Sequence, residues 1–305
     1  MINAVHWAVH WPGHWRLART SVTLAGVAIL LNWVSSERTL ALPGTWHALL
    51  LGVLLSQLSF ACYAGRFRAV MRIVGVELAP AQSLGLSARA LFYHSLVPLS
   101  VGSDLTRFAL CRVAAPRSSA RLVASGIVFD HGIGTFALLL IGASAWAFVS
   151  GWASWQMLGG LSLACLLIVG VVGFGRLRWQ HHTVWRARLC DHWPAVAQAL
   201  LLSLLMQGIL ALAVYVGAQA WHLGVGYPQI LWVLACSALL QCVPFNFGGL
   251  HLGDVAGTAL YASLGLPLHD AILLGSLLFC YRVLMAIIGG LWDLQIRPLP
   301  QRDTA

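Results

Sequence analysis

The sequence predicts an all-α polytopic membrane protein. It should have about six full transmembrane helices and two re-entrant broken-helix hairpins entering from opposite faces, laid out as an inverted repeat. Three observations predict this. Of the 305 residues, 59% are hydrophobic and only 9% charged, with a mean hydropathy of +0.81, whereas a soluble domain carries roughly a quarter charged residues. Apolar runs of the ~20 residues needed to cross a hydrocarbon core of about 30 Å recur along the chain. Two stretches also echo each other, "SLVPLSVGSDLTRFAL" at 95–110 and "QCVPFNFGGLHLGDVAGTAL" at 241–260. Each sets Val-Pro, a Gly four residues after the proline, and then an Asp inside apolar sequence.

Full spans are expected near residues 20–36, 46–65, 122–149, 155–175, 194–220 and 270–294. All eighteen basic residues are arginine, and they orient these spans. Arg16 and Arg19 precede the first span, and Arg66, Arg68 and Arg72 follow the second. Arg107, Arg112, Arg117 and Arg121 precede the third. Arg176, Arg178, Arg186 and Arg188 follow the fourth, and Arg297 and Arg302 follow the last; Arg38 alone falls on the other side. Arginine marks the cytoplasmic loops, so both termini are expected in the cytoplasm; the membrane itself is expected to be a bacterial inner membrane. The expected organisation is an interfacial segment at 1–15, one transmembrane domain at 16–298 and a short tail at 299–305.

The same orientation constrains the remaining apolar regions, 81–110 and 228–264. Arg72 and Arg107 lie on one side, so the first region must dip in and return. The second begins and ends outside, so it dips in from the other face. Pro98 and Pro244 each remove a backbone donor and turn the preceding residue away from helix. Gly102, Gly248 and Gly249 permit a sharp reversal. Non-helical backbone at membrane depth persists only where it is buried in protein or lines a wet cavity. Paired breaks from opposite faces are the layout of inverted-repeat transporters; two kinked helices are the plainer alternative.

An ionisable side chain at membrane depth costs about 2.5–3.5 kcal/mol on insertion scales, so each needs a partner or a wet path. The deep candidates are Asp104, Arg107, Asp130, His131, His251, Asp254 and Arg282, with Arg89 and His94 on the first hairpin. Asp104 follows the break and could cap the returning helix or serve the site. Arg107, three residues on, shares its face and could pair with it. Arg282 sits about 18 Å of helix from either polar flank, too deep to snorkel, so Asp254, Asp104 or a bound phosphate is expected to meet it. Its planar fork suits phosphate. His131, beside Asp130, is a possible proton site, or a histidine that is simply hydrogen-bonded.

Other patterns point away from competing classes. The seven cysteines form no CxxC pair, so neither a metal site nor a disulfide framework is indicated. "HWAVHWPGHW" near the N-terminus spaces His6, His10 and His14 evenly, but Pro12 and Gly13 break the helix that would align them. With Trp7, Trp11 and Trp15 it reads as a membrane-interface anchor, and "GRLRWQHHTVWRARL" at 175–189 as a loop that touches anionic lipid heads. The net charge of +9 is explained by topology, without nucleic acid. No hydrolase elbow, P-loop, zinc-protease or dinucleotide pattern is present, so neither an enzyme nor a cofactor is expected.

Three segments carry a family resemblance: "VPLSVGSDLTRFALCR", "VASGIVFDHGIGTFALLL", and "VPFNFGGLHLGDVAGTALYASLGL" followed by "YRVLMAIIGGLWDL". Together they resemble the membrane region of lysylphosphatidylglycerol synthases and its stand-alone, flippase-like relatives. The chain departs from that family's pattern at Ser103, His131, His251, Gly253 and Asp254. The resemblance implies a domain that moves lipids with polar headgroups across the membrane. The soluble synthase domain of two-part members is not expected here, since the sequence ends about ten residues after the last span; headgroup aminoacylation is therefore not expected either.

The function expected from the sequence is transport of a polar, anionic lipid or lipid-linked intermediate through a site between the two hairpins. Arg107 and Arg282 would hold the phosphate, and Asp104 and Asp254 would pair with them in the empty state. One alternative is a non-transporting membrane partner of a lipid-modifying enzyme. Another is an intramembrane headgroup enzyme using Asp130 and His131 as acid and base.

Overall fold

The computed structural model describes residues 45–96, 102–150, 191–241, 246–247 and 250–295. They form helices α1 (Thr45–Ile73), α2 (Pro80–Leu96), α3 (Gly102–Ala114), α4 (Ala120–Val149), α5 (Trp193–Ala220) and α6 (Tyr227–Leu240). A short strand pair follows, β1 (Asn246–Phe247) and β2 (Leu250–His251), then α7 (Leu252–Ser263) and α8 (Leu268–Gln295). The expected spans at 20–36 and 155–175, the His-Trp segment, the basic loop at 175–189 and the C-terminal tail lie outside the described residues. So do Pro98, Pro244, Gly248 and Gly249 of the two echoing motifs.

Helices α1, α4, α5 and α8 are long and apolar enough to cross a membrane. With 28 to 30 residues each they run roughly 42–45 Å at 1.5 Å per residue, well beyond the hydrocarbon thickness. Their outward faces are apolar: Leu50, Leu54 and Leu58 line up along α1, and Leu201, Leu205 and Leu212 project from α5, all exposed. Such stripes are tolerated when lipid rather than water is the solvent. This is a helical integral membrane protein.

The other helices are too short to span alone. α2 and α3, with 17 and 13 residues, pack on each other, as do α6 and α7, with 14 and 12. Between α6 and α7 the two strands pair antiparallel, Asn246 opposite His251 and Phe247 opposite Leu250. The echoing motifs therefore fall at the junctions of two short-helix pairs, and Gly102 is the first residue of α3.

The same order of elements occurs twice: long helix, tight turn, short pair, long helix. α1 ends with Val76 N–H donating to the Met71 carbonyl (2.8 Å) and Gly75 N–H to that of Arg72 (3.0 Å), with Gly75 at φ 81°. α5 ends alike, Leu223 N–H donating to the Ala218 carbonyl (3.0 Å) and His222 N–H to that of Gln219 (3.1 Å), with His222 at φ 54°. Both are Schellman turns, which favour glycine at the left-handed residue. The connections that follow, 74–79 and 221–226, are equal in length.

α1 lies along α5, and the short pairs cross over: α2 packs on α8, and α6 on α4. At the first crossing a Cβ on Gly289 would strike the Ala88 carbonyl, so only glycine permits this approach. At the second, Trp146 and Trp232 stack with ring centroids 4.7 Å apart. Each half has its own core, with Phe67, Met71, Leu86 and Val123 in one and Val214, Ile230, Tyr261 and Leu274 in the other. Val70, Ile133 and Ala199 form a smaller cluster joining α1, α4 and α5.

One boundary differs from the sequence expectation. The second span was placed at 46–65, yet α1 continues through Arg66, Arg68 and Arg72 to Ile73. Phe67, Val70, Met71 and Val74 keep the helical period and are completely buried. Two of these arginines find internal acceptors, Arg66 at Asp130 and Arg68 through Nε donating to the Leu78 carbonyl at 2.9 Å.

Candidate functional site

Asp130 is the centre of the most buried polar cluster. It sits about three turns into α4 with no exposed surface, and three other helices converge on it. From α1, Arg66 grips it with a two-pronged fork, Nε donating to Oδ1 at 2.8 Å and Nη2 to Oδ2 at 2.9 Å. The third nitrogen of that fork, Nη1, donates to Ser203 Oγ on α5 at 3.0 Å. From α3, Arg107 Nη1 reaches Asp130 Oδ2 at 3.3 Å. Gly134, one turn beyond Asp130, makes room for this: a Cβ there would lie 2.9 Å from Arg66 Nη1.

Two guanidinium groups share one carboxylate, so the cluster carries a net positive charge. Arg107 is 1% exposed and its Nε and Nη2 make no hydrogen bond among the described residues. Its guanidinium instead lies over the rings of Tyr63 (4.6 Å) and Phe67 (4.9 Å), which favour a cation electrostatically without satisfying its N–H donors.

A second charged contact occupies the other half. Arg282 on α8 brings Nη2 to 2.6 Å from Asp254 Oδ1 on α7, an ion pair outside hydrogen-bond geometry. Arg282 Nε, Nη1 and Nη2 are buried and make no hydrogen bond among the described residues. α7 reaches this depth by pressing its glycines on α6: a Cβ at Gly253 would meet the Ser237 carbonyl, and one at Gly257 would lie 2.8 Å from Ser237 Oγ.

Arg107 and Asp254 are separated by the same number of residues as Gly75 and His222, the two turn residues. Each projects from the second helix of a short pair and meets the opposite charge on the long helix that follows. Arg107 meets Asp130, and Asp254 meets Arg282. The signs are reversed between halves.

The remaining expected site residues are placed differently. Asp104 lies in the first turn of α3, where a carboxylate suits the helix dipole. Its partner is neither Arg107 nor Arg282 but His131, whose Nε2 is 3.0 and 3.1 Å from its two oxygens. That pair faces outward, His131 being 56% and Asp104 30% exposed at the side chain. Asp104 and Arg107 lie one turn apart on α3 and meet successive residues of α4, Arg107 the buried Asp130 and Asp104 the outward-facing His131. His251 belongs to β2, and its side chain lies outside the described residues. Arg66, Ser203, Tyr63 and Phe67 were not among the expected site residues. The signal for Arg66 was the apolar helical period running on beyond it.

The family described as lysylphosphatidylglycerol synthase TM region matches residues 17–290. The chain belongs to that family. No curated protein and no solved structure matches it. As a member of the lysylphosphatidylglycerol synthase TM-region family, it is a membrane protein tied to lipid metabolism or transport. Its most buried polar cluster has the donor chemistry to receive a phosphate or carboxylate, which guanidinium groups bind through paired N–H donors.

Proposed function

We propose that this protein carries an anionic, polar-headed lipid or lipid-linked intermediate across the bacterial inner membrane, with both termini in the cytoplasm. The observation that supports this most is the excess buried arginine. A net positive charge at membrane depth, with two Arg107 donors that make no hydrogen bond among the described residues, is costly unless an anion is received there. In the proposed cycle the headgroup phosphate is drawn to Arg107 in one half and to Arg282 in the other, while Asp130 and Asp254 hold these arginines in between. Acyl chains remain in the bilayer.

The two short-helix pairs are read as re-entrant hairpins from opposite faces of an inverted repeat, completed by spans at 20–36 and 155–175. The doubled order of elements, the crossed packing and the sign-reversed contacts support that reading. Rocking of the hairpins would expose the site to each face in turn. No catalytic role is assigned to the chain.

A second reading is favoured by one specific observation: Asp130 is already satisfied by Arg66 and Arg107, as a purely structural ion cluster would be. The protein would then be a membrane partner of a lipid-modifying enzyme. The test uses sealed vesicles that each hold one labelled lipid class, with an impermeant reagent reporting headgroup arrival at the outer face. Anionic phospholipid is expected to cross in a protein-dependent way, and zwitterionic phospholipid much more slowly. Equal rates for both classes would refute an arginine-selected substrate, and no movement of any class would favour the partner reading.

A further inference from the structure

We infer that one edge of the Arg107 guanidinium is matched to a headgroup phosphate carrying a single negative charge, so that phosphodiester lipids are taken, and phosphomonoester lipids only when protonated to one charge. The inference rests on the lipid-carrying reading above and narrows its substrate class by charge.

Arg66 has every side-chain nitrogen in use: Nε and Nη2 grip Asp130, and Nη1 donates to Ser203 Oγ. Arg107 uses only Nη1, which donates to Asp130 Oδ2. Its Nε and Nη2 are buried and make no hydrogen bond among the described residues. These two nitrogens lie side by side on one edge of the guanidinium plane. It is the edge by which Arg66 holds both oxygens of a carboxylate. Two parallel N–H groups are thus offered to one anion, and buried donors without an acceptor are uncommon. The rings of Tyr63 and Phe67, with centroids 4.6 and 4.9 Å from Arg107 Cζ, favour the cation through its charge. They offer the N–H groups no lone pair, so the edge is where an oxyanion fits.

Charge then sets the kind of anion. Two guanidinium groups against one carboxylate leave the cluster with one excess positive charge. Asp104, one turn back on α3, is partly exposed beside His131, where solvent screens it. A phosphodiester carries one charge and two equivalent oxygens. Both oxygens meet the edge, and the cluster becomes neutral. A phosphomonoester has three such oxygens and close to two charges at neutral pH, its second ionisation lying at about pH 6. Its extra charge would stay uncompensated in a buried site, which is costly. A proton on one of its oxygens removes that penalty. The cluster therefore selects by the number of charges on the phosphate, and acid admits a headgroup that neutral pH excludes.

The test uses the full chain in nanodiscs of zwitterionic lipid. Radiolabelled short-chain phosphatidylmethanol, a phosphodiester, is displaced by unlabelled phosphatidylmethanol or by phosphatidic acid, the phosphomonoester that lacks only its methyl group. Displacement is compared at about pH 8 and about pH 5, on either side of the second phosphate ionisation. Native protein is expected to hold phosphatidylmethanol equally well at both. Phosphatidic acid should compete roughly tenfold more weakly at the higher pH, because of its uncompensated charge, and about as well at the lower. Arg107→Lys, shown by thermal unfolding to be folded, keeps the charge and loses the edge. It is expected to bind phosphatidylmethanol several-fold more weakly while still preferring it to phosphatidic acid at the higher pH. Equal competition by the two lipids at the higher pH, or a preference that does not change with pH, would overturn the inference and leave the lipid-carrying reading standing. Native affinity in Arg107→Lys would overturn the assignment to that edge. Failure of native protein to bind phosphatidylmethanol would remove the lipid-carrying reading and this inference with it.

Discussion

Asp130 has more depending on it than any other side chain described here. Its two oxygens accept from Arg66 and Arg107 while it is wholly buried. Removing its charge strands two guanidinium groups, and breaking a buried pair in this way costs about 3–5 kcal/mol. Asp130→Asn should therefore unfold far more readily than native protein in a detergent thermal-denaturation assay. Arg66→Gln should cost clearly less, because Arg107 still meets the carboxylate; an equal loss in both variants would mean that Arg107 contributes nothing to holding Asp130. Gly134→Ala should also destabilise, by roughly 1–3 kcal/mol as an overpacked site, since the new methyl would press on Arg66 Nη1. At this scale the sequence was only partly legible. Depth identified Asp130, Asp254 and Arg282 as residues in need of partners, and Asp254 was one of three named for Arg282. Arg66 was assigned to a loop because arginine after an apolar run usually marks one. Asp104 was expected to pair with Arg107 or Arg282; that it meets His131 instead depends on how α3 packs on α4, which spacing alone does not fix.

Among the elements, the turns and crossings set the geometry. His222 holds the left-handed position that glycine fills at Gly75, and a non-glycine residue there costs roughly 1–2 kcal/mol. His222→Gly should raise the melting temperature, with a stabilisation of about 1 kcal/mol in chemical denaturation; a loss of stability would show that the imidazole makes a compensating contact. Gly289→Leu should act in the opposite sense. Its side chain would enter the backbone of α2 at Ala88 and push α2 and α8 apart, read out as earlier unfolding and as lower yield of a disulfide engineered across that crossing. Helix boundaries followed from apolar period and turn chemistry for α4, α5 and α8, which begin and end within a few residues of the expected spans. The end of α1 did not, because internal acceptors for Arg66 and Arg68 come from segments distant in sequence. The strand pair at Asn246–Phe247 and Leu250–His251 was unforeseen as well, since two-residue strands carry no readable period.

Taken as a whole molecule, the chain places two sign-reversed ion contacts in two similarly built halves, each between a short helix and the long helix that follows it. In the proposed cycle these contacts would give the carrier a charge-selective interior without a wide pore. A carrier of this kind should discriminate by headgroup charge rather than by acyl length, because the tails need never enter the protein. The measurement that tests the account most directly is headgroup translocation of an anionic phospholipid in sealed proteoliposomes, comparing native protein with Arg107→Ala and Arg107→Lys, each shown by thermal unfolding to be folded. The account predicts protein-dependent translocation that falls at least tenfold in Arg107→Ala, as loss of a charge-assisted phosphate contact worth about 1.5–3 kcal/mol requires, and partial retention in Arg107→Lys. Translocation by Arg107→Ala at the native rate would contradict it.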